Sequence, residues 1–387
     1  MKKVKKLNKL KELINKLCPN GVEYKKLEDC CNILDNERKP VTKSARIKGE
    51  YPYYGANGIQ DYVSDYIFDG TFVLVGEDGS VINKNGNPVV TWAEGKIWVN
   101  NHAHVIKEKE NVLLRYLYHY IQTINVSVLI HGNIPKLNQG DFRNLRIAVP
   151  PLEVQCEIVH ILDDFTLLSA ELSAELKARQ KQFAYFEEKL LFNNNFEKVK
   201  LADLCIVNQG LQIPINQRKK KPAENRYFYI TVQFLKGGDE KYYIESPQQN
   251  VICKKEDILV TRTGSTGKII TGVEGCFHNN FFKVEPNERI LKRYLYFVLN
   301  SKRMYNKMIR AASGGTVPDL PHKKFYNLEI FLPSTDEQKK IINVLERFEK
   351  LCNDISEGLP AEIEARQKQY EYYRDKLLTF KELKVNE

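Results

Sequence analysis

The chain has 387 residues, enough for two or three domains with hydrophobic cores of their own. Its 59 lysines and arginines outnumber its 49 aspartates and glutamates, and the formal net charge of +10 suits an anionic partner. The eight cysteines lack the spacing of a metal site, so we expect buried thiols in a reducing cytosol. No apolar run approaches the roughly 18 residues that a membrane span requires.

The first segment, residues 1–17, reads MKKVKKLNKLKELINKL and predicts a helix. Lysines interrupt it too often for the apolar core of a signal peptide. We therefore expect a soluble protein of the cytoplasm.

Residues 18–149 predict a mixed, β-rich α/β part. Short β-branched runs such as Thr71–Val75 lie between turns rich in Gly and Asp, which is typical of strands. One helix is indicated at Leu113–Gln122.

Residues 150–192 predict a long helix that begins after Pro151, with Glu153 placed favourably for the helix dipole. About 40 residues at 1.5 Å each make a rod on the order of 60 Å. A 3.5-residue apolar period indicates lengthwise packing against another helix. The positions that share this period are Ile158, Leu162, Phe165, Ser169, Leu172, Leu176, Arg179, Phe183, Phe186 and Leu190.

Residues 193–387 repeat this order of elements. FEKVKLADLC (196–205) corresponds to VEYKKLEDCC (22–31), and ARQKQYEYYRDKLL (365–378) corresponds to ARQKQFAYFEEKLL (178–191). The second globular part predicts a strand at Ile258–Val260 and a helix at Leu291–Lys302. A second long helix follows Pro333, and we expect it to break near Gly358 and to restart at Pro360.

The two copies share Gly, Pro and apolar positions but differ at exposed polar ones. Glu77 and Asp78 of the first copy correspond to Arg262 and Thr263 of the second. The first segment, 1–17, also repeats the tail of the central helix, as if the module were closed into a circle. This pattern predicts two different recognition parts held at a fixed separation by two antiparallel helices. DNA suits that geometry because half-sites repeat along a rigid rod.

The chain resembles the specificity (S) subunit of type I restriction–modification systems along essentially its whole length. The motifs that carry the resemblance are YPYYGANGIQDYV, GEDGSV, WVNNHAHVI, GNIPKLNQGDF, PPLEVQCEIVHIL, PSTDEQKKIINVL and the twin ARQKQ segments. The resemblance implies an α+β fold with two tandem α/β target recognition domains, each followed by a long helix. The two helices are expected to pack as an antiparallel coiled coil with pseudo-twofold, circular symmetry.

The resemblance also implies a division of the chain and of the chemistry. The expected parts are an N-terminal helix (1–17), recognition domain 1 (18–149), a central spacer (150–192), recognition domain 2 (193–332) and a C-terminal spacer (333–387). Each domain would read half of a bipartite, interrupted site on double-stranded DNA, and the spacers would dock methyltransferase (M) subunits, expected to be two. This chain would be non-catalytic and would bind no cofactor. S-adenosylmethionine is expected on the M subunit, and ATP and Mg²⁺ on a restriction (R) subunit where one joins.

For DNA contact we expect polar residues of the Gly-rich turns, where the backbone can approach closely. In the first domain these are Tyr54, Asn57, Gln60, Glu77, Asp78, Ser80, Asn101, His102, His104, Asn133 and Lys136. In the second they are Gln209, Gln212, Lys219, Lys220, Lys221, Arg262, Thr263, Ser265, Thr266, Lys268, His278, Asn279, Asn280, Thr316 and Lys323.

Several interpretations stay open for these residues. Arg262 is predicted to read guanine in the major groove, and the Lys219–Lys221 run either contacts phosphate or is simply solvated. Each polar residue has the alternative of a structural turn hydrogen bond. His102, His104 and His278 have the alternative of satisfied core histidines, and no metal site is expected.

The helices carry a second group of candidates. Their apolar stripes are expected mainly to form the seam between the two helices. The aromatic-rich ends and paired arginines are expected to meet M subunits, and the residues concerned are Arg179, Phe183, Tyr185, Phe186, Arg366, Tyr370, Tyr372 and Tyr373.

Two other function classes remain as alternatives, a stand-alone DNA nuclease or methyltransferase and a coiled-coil interaction protein without DNA specificity. No amino-methyltransferase tetrapeptide occurs, and TRTGSTGKII (261–270) lacks the first glycine and the Ser/Thr of a P-loop. Pro318-Asp319 with Glu337-Gln338-Lys339 formally matches the PD…ExK pattern of nucleases. We interpret that match as chance, because the first copy has Lys136, Val154 and Cys156 at the corresponding positions.

Overall fold

The structure, a computed structural model, describes residues 2–79, 81–130, 135–314, 317–354 and 356–383. The chain divides into two compact units. Unit 1 is Met1–Ser173 with Glu362–Glu387, and unit 2 is Ala174–Ala361. The boundaries fall inside the two long helical segments and not beside them.

Unit 1 joins helices to a six-stranded sheet of order β2-β7-β5-β6-β3-β4 and a two-stranded sheet β1-β8. Its elements are α1 (Lys2–Leu17), β1 (Glu23–Lys26), α2 (Leu27–Cys30), β2 (Cys31–Ile33), β3 (Lys48–Gly55), β4 (Gly58–Val63), β5 (Phe68–Gly76), β6 (Val90–Val99), β7 (Ala103–Glu108), α3 (Leu114–Ile121), α4 (Gln139–Arg143) and β8 (Arg146–Val149). The helix α5 (Leu152–Leu191) begins in unit 1 and ends in unit 2.

Unit 2 contains sheets of order β10-β17-β14-β15, β12-β11-β16-β13 and β18-β9. Its strands are β9 (Glu197–Lys200), β10 (Cys205–Gln209), β11 (Arg226–Ile230), β12 (Tyr243–Glu245), β13 (Ile252–Cys253), β14 (Ile258–Thr261), β15 (Ile269–Ile270), β16 (Gly275–Phe277), β17 (Phe281–Pro286) and β18 (Glu329–Leu332). Its helices are α6 (Val232–Leu235), α7 (Lys292–Asn300), α8 (Lys302–Ala311), α9 (His322–Tyr326) and α10 (Thr335–Asn353), and α11 (Leu359–Leu377) returns to unit 1.

The strands and helices predicted from sequence are confirmed. Thr71–Val75 lies within β5 and Ile258–Val260 within β14, while α3 and α7 occupy the two predicted helical segments. The second long helix breaks as predicted, since α10 ends at Asn353 and α11 begins at Leu359. A Cβ at Gly358 would lie 2.6 Å from the carbonyl oxygen of Asp354, so the turn that restarts the helix requires glycine.

The two units repeat the same core construction. In unit 1 the side chain of Tyr116 donates to Ala148 O (2.8 Å), and in unit 2 that of Tyr294 donates to Phe331 O (3.0 Å). The strand β1 pairs antiparallel with β8 as β9 does with β18. A parallel pair, β3 with β6, likewise corresponds to β11 with β16.

The start of each long helix is fastened to the preceding domain by a buried glutamine. Gln155 accepts from Leu113 N (2.9 Å) and donates to Pro150 O (2.8 Å). Gln338 accepts from Leu291 N (2.8 Å) and donates to Pro333 O (3.0 Å). Since both side chains are fully buried, each helix is held at a fixed angle to the domain before it.

The predicted apolar stripe of α5 is packed in both units. In unit 1 the ring of Phe165 stacks on Tyr373 with a centroid distance of 5.2 Å. In unit 2 Phe183 and Phe186 stack on Phe348 at 6.1 and 5.5 Å. Among the described residues, none of the helices is long and apolar enough to cross a membrane.

Candidate nucleic-acid interface

Three chain segments meet at the end of β5 in unit 1. The backbone N–H of Glu77 donates to His102 O (2.8 Å), and its carbonyl accepts from Leu137 N (2.8 Å). Glu77 therefore joins the turn after β6 to the segment before α4. We call this contact the unit 1 junction.

An ion network that is buried except at Lys136 supports the unit 1 junction. Glu77 pairs with Arg38 (2.6 Å) and Lys136 (3.2 Å), while His104 Nδ1 lies 2.7 Å from Asp35 Oδ2. Burial by itself raises the pKa of Asp35, but hydrogen bonding and charge from His104, with the charge of Arg38, hold it below its usual value. Asp35 is therefore ionised at neutral pH, and the network is close to charge balance.

Asp35, Glu77 and His104 lie close enough together to hold a metal ion. Arg38 already bridges the two carboxylates, and Nε2 of His104 lies 2.9 Å from Leu137 O. Both ring nitrogens of His104 are thus already in contact with protein oxygens, of Asp35 and of Leu137. The arginine supplies the positive charge at this position.

Unit 2 has a corresponding junction at Arg262. Its backbone N–H donates to Asn280 O (2.7 Å), and its carbonyl accepts from Leu320 N (3.2 Å). The guanidinium binds Asp319 through two donors, Nε (2.6 Å) and Nη2 (3.0 Å), and Nη1 reaches Gln209 at 3.4 Å. The hydrogen bond from Arg262 lowers the pKa of Asp319, although burial opposes the shift.

The two junctions carry the same ion pair with reversed polarity. Glu77 corresponds to Arg262 in the repeat, and its partner Lys136 corresponds to Asp319. An ion pair is present at this place in both units, because the two positions exchange their charges together: negative and positive in unit 1, positive and negative in unit 2. Asp319 is consequently a structural ion-pair partner, which supports chance as the origin of the nuclease-like pattern.

The predicted DNA-contact residues lie at three depths. Exposed ones are Asn57, Gln60, Asn101, His102, Lys136, Gln212, Lys219, Lys220, Lys221, Lys268 and Lys323. Half-buried ones are Asp78, Gln209, Arg262, Thr263, Ser265, His278, Asn279 and Asn280. Ser80, Asn133 and Thr316 lie outside the described residues.

Four of the predicted contact residues are buried, namely Tyr54, Glu77, His104 and Thr266. Tyr54, on β3, packs in a hydrophobic cluster with residues of β5 and β6, and the ring of His104 is stacked on that of Phe142 with a centroid distance of 4.1 Å. Thr266 donates to Pro318 O (2.6 Å). Direct contact with a DNA groove is not available to these side chains here, because they are buried. The interpretation of His104 as a satisfied core histidine is the one that its geometry supports.

The turns 100–102 and 278–280 present polar atoms beside the junctions. His102 pairs with Asp78, and the amide of Asn279 donates to Gln212 (3.0 Å). Burial, with the nearby charge of Arg218, lowers the pKa of His278, and its Nδ1 accepts from Asn280 N (3.1 Å). At neutral pH the proton of His278 is therefore on Nε2, which remains a donor.

The family model for the type I restriction modification DNA specificity domain matches residues 19–179 and 193–365. A protein of Haemophilus influenzae named as a type I restriction enzyme specificity subunit is 39% identical over 377 residues, covering 93% of this chain and 96% of the relative. The chain belongs to the type I restriction–modification DNA specificity family.

Other relatives and solved structures agree with this assignment. A type I restriction enzyme specificity subunit of Escherichia coli is 31% identical over 296 residues, with 70% of this chain and 72% of the relative covered. The crystal structure of the S subunit from M. genitalium has a TM-score of 0.58 at 14% identity and covers 92% of this chain and 96% of its own. A structure from a study of type I complex assembly has a TM-score of 0.55 at 15% identity, covering 93% and 98% of the two chains. At these identities the structural likeness establishes the fold alone.

In this specificity protein the predicted partner residues fall into two groups. Tyr370 is buried and hydrogen-bonded to His119. The partly buried rings of Phe183, Phe186 and Tyr373 pack against aromatic residues of the neighbouring helix. Arg179 and Arg366 are half-buried and make equivalent ion pairs, with Glu175 (3.3 Å) and Glu362 (3.1 Å). Tyr370 is thus a packing residue, since burial at the seam removes it from the surface.

Tyr185 and Tyr372 are the exposed members of the set. They occupy equivalent repeat positions, and each is 59% exposed. Lys189 lies 5.8 Å from the ring of Tyr185, and Lys376 lies 5.4 Å from that of Tyr372. The same exposed Tyr–Lys pair is therefore presented by α5 and by α11.

Several supporting residues were missed from sequence. Asp35 and Arg38 precede the long loop before β3 and carry no recognisable motif. The pair Arg262–Asp319 did have a signal, because both positions change charge together between the repeats. Gln155 and Gln338 also had one, since they are identical in an otherwise divergent helical turn.

Proposed function

We propose that this chain is the non-catalytic DNA-specificity subunit of a type I restriction–modification complex, whose two recognition domains each read one half of a bipartite site. The observation that carries the proposal is the pair of junctions built on one scaffold with reversed charges. A repeated scaffold with different polar turns suits two half-sites of different sequence on one DNA duplex.

The helices are proposed to space the two domains as an antiparallel coiled coil related by pseudo-twofold, circular symmetry. Phe165 in the first half of α5 contacts Tyr373 near the end of α11, whereas Phe183 near the end of α5 contacts Phe348 of α10. The order of these contacts along the chain supports antiparallel packing. In this circular arrangement, α1 leads into the first strand of unit 1 as the end of α5 leads into the first strand of unit 2.

The surfaces around Tyr185 and Tyr372 are proposed to dock two M subunits. Between the twin helical segments the exposed residues are mostly identical, as in Gln180/Gln367, Lys181/Lys368 and Tyr185/Tyr372. Two aromatic packing positions differ, as in Phe183/Tyr370, while the last two leucines of each segment are the same. An exposed surface kept in both copies suits two copies of the same partner. The M subunits would methylate DNA with S-adenosylmethionine, and an R subunit would cleave it with ATP and Mg²⁺.

Co-expression with an M subunit, followed by single-molecule sequencing of methylated bases, tests the proposal. The expected result is methylation within one interrupted bipartite sequence. Methylation or cleavage by the purified chain alone would support the alternative of a stand-alone enzyme. Absence of any enriched bipartite sequence would support an interaction protein without DNA specificity.

A further inference from the structure

A loop of the same construction leads toward the parallel strand pair of each unit. In unit 1 the buried hydroxyl of Tyr53 accepts from Val41 N (3.0 Å) and donates to Val41 O (3.2 Å). In unit 2 that of Tyr229 accepts from Ile213 N (3.2 Å) and donates to Leu211 O (2.6 Å). Both tyrosines are 1% exposed. We call residues 41–48 and 213–221 the clamped loops.

An arginine closes each clamped loop over the same tyrosine. Arg46 Nε donates to Val41 O (3.1 Å), and its guanidinium lies 4.0 Å from the Tyr53 ring centroid. Arg218 Nε donates to Ile213 O (2.9 Å), and its guanidinium lies 5.1 Å from the Tyr229 ring. The residue after each arginine is also fixed, because Ile47 O accepts from Ser64 N (2.9 Å) and Lys219 O accepts from Tyr243 N (2.8 Å).

Positive charge is concentrated on and beside both clamped loops. Residues 39–48 contain four basic residues and no acidic one, and the same holds for residues 211–221. Lys43, Lys48, Lys220 and Lys221 are exposed. Among the described residues these four form no ion pair. A rigid loop that presents unpaired lysines loses little conformational entropy when it binds an anion.

The repetition of this construction indicates what the anion is. The polar turns at the junctions differ between the units, as expected for elements that face different bases. The clamped loops keep their hydrogen-bond pattern and their charge. A feature that serves both units alike suits the phosphate backbone, which is the same at both half-sites.

We propose that the two clamped loops are phosphate-contacting elements that position each recognition domain on DNA without reading sequence. This inference rests on the proposed function and adds residues of the first domain, chiefly Lys43 and Lys48, that no turn motif marked. It also assigns Tyr53 and Tyr229 as positioning residues, which act by holding the loop and not by touching DNA.

The test measures binding of the full-length chain to two fluorescent duplexes over a range of NaCl concentrations. One duplex has random sequence, and the other carries the bipartite site obtained by selection. The variants are K43Q/K48Q and K220Q/K221Q, with K254Q/K255Q as the control of equal charge change, since Lys254 and Lys255 are exposed outside the clamped loops.

Each loop variant is expected to lose on the order of tenfold in affinity for both duplexes, and the slope of log K against log[NaCl] should fall by about 1.8. A loss no larger than that of K254Q/K255Q would overturn the proposal, as would a loss confined to the selected duplex. If selection yields no bipartite site but the loop variants still lose salt-dependent binding, the proposed function fails while the clamped loops stand as phosphate contacts.

Y53F and Y229F test the clamp separately, because they keep the ring and remove only the hydroxyl bonds to the loop. Both variants should bind the two duplexes more weakly with an unchanged salt slope, since no charge is lost. Affinity equal to that of the original chain would show that the tyrosines do not position the loops.

Discussion

At the scale of single residues, the paired charges of the junctions decide which side chains are available to DNA. Arg262 was predicted to read guanine, yet Asp319 occupies two of its donors. In this arrangement the arginine holds the segment 317–320 against the turn 278–280. Three of the five N–H donors of the guanidinium remain on Nη1 and Nη2, so base reading by Arg262 stays a prediction that the pair with Asp319 does not test.

Double-mutant analysis of Arg262 and Asp319 distinguishes these roles. If the pair acts as a unit, R262A and D319A should weaken DNA binding to similar extents, and the double variant should be no worse than either. The pair is about one-third exposed, so each single change should cost no more than about 1 kcal/mol of stability. Relaxed specificity at one base pair in R262A, with specificity intact in D319A, would restore the base-reading interpretation.

Glu187 is a second residue whose environment makes a measurable prediction. Burial on α5, with a smaller contribution from the charge of Glu188, raises its pKa from 4.5 to about 7. Among the described residues it has no hydrogen-bond or ion-pair partner. The folded state therefore holds this proton more tightly than the unfolded chain does, and stability falls as pH rises from about 4.5 to about 7.

E187Q should remove this pH-dependent loss. Urea unfolding is expected to show E187Q more stable than the original chain by about 1–2 kcal/mol at pH 8, with little difference at pH 5. E188Q is the control: it removes the smaller contribution of the Glu188 charge and the pair with Arg303 (2.7 Å) but leaves Glu187 buried, so most of the pH-dependent loss should remain. An equal gain at both pH values would refute the assigned cause.

At the scale of elements, the packing of α3 against the returning helix α11 is specified by a polar triad, in which His119 and Tyr370 are buried and Asp163 is partly exposed. His119 Nε2 lies 2.9 Å from Asp163, and its Nδ1 lies 2.9 Å from the hydroxyl of Tyr370. Burial lowers the pKa of His119 although Asp163 opposes the shift, so the ring is neutral, donates to Asp163 and accepts from Tyr370. At the repeat positions of His119 and Tyr370, unit 2 has Phe297 and Phe183.

This exchange predicts strong coupling between His119 and Tyr370. Y370F leaves Nδ1 of a buried histidine unsatisfied, and H119F leaves a buried hydroxyl unsatisfied, so each should cost about 1–3 kcal/mol. The double variant H119F/Y370F, which copies unit 2, should be destabilised by less than the sum of the two. Additive losses in urea unfolding would contradict the triad.

The helix α5 also contains two tandem copies of Ser-Ala-Glu-Leu, in LSAELSAEL (168–176). A further copy adds about 6 Å of helix and about 40° of rotation. Since the rise of DNA is about 3.4 Å per base pair, we expect the unread spacer of the recognised site to lengthen by one or two base pairs. Methylation mapping of the insertion variant should find both half-sites unchanged. A spacer of the original length would show that α5 does not set the distance.

At the scale of the whole molecule, the repeated construction predicts that recognition is modular. Replacing residues 30–145 by the corresponding part of another recognition domain should change one half of the recognised site and leave the other half intact. Methylation mapping of the chimera checks this outcome, and the original chain provides the reference site. Simultaneous change of both halves would be incompatible with independent reading.

The sequence by itself determined the duplication, the order of the elements, the break before Pro360 and the family. These features can be read from the order of residues alone, because they appear as a repeat, as the positions of proline and glycine, and as apolar periodicity. Only the tertiary structure decided which polar residues face inward. Glu77, His104 and Tyr54 belong to sequence segments that resemble exposed turns, yet ion pairing and packing with residues far along the chain, such as Asp35 and Arg38, bury them. Burial depends on contacts between distant segments, and those contacts leave no local pattern unless, as with Arg262 and Asp319, a repeat records them as paired changes of charge.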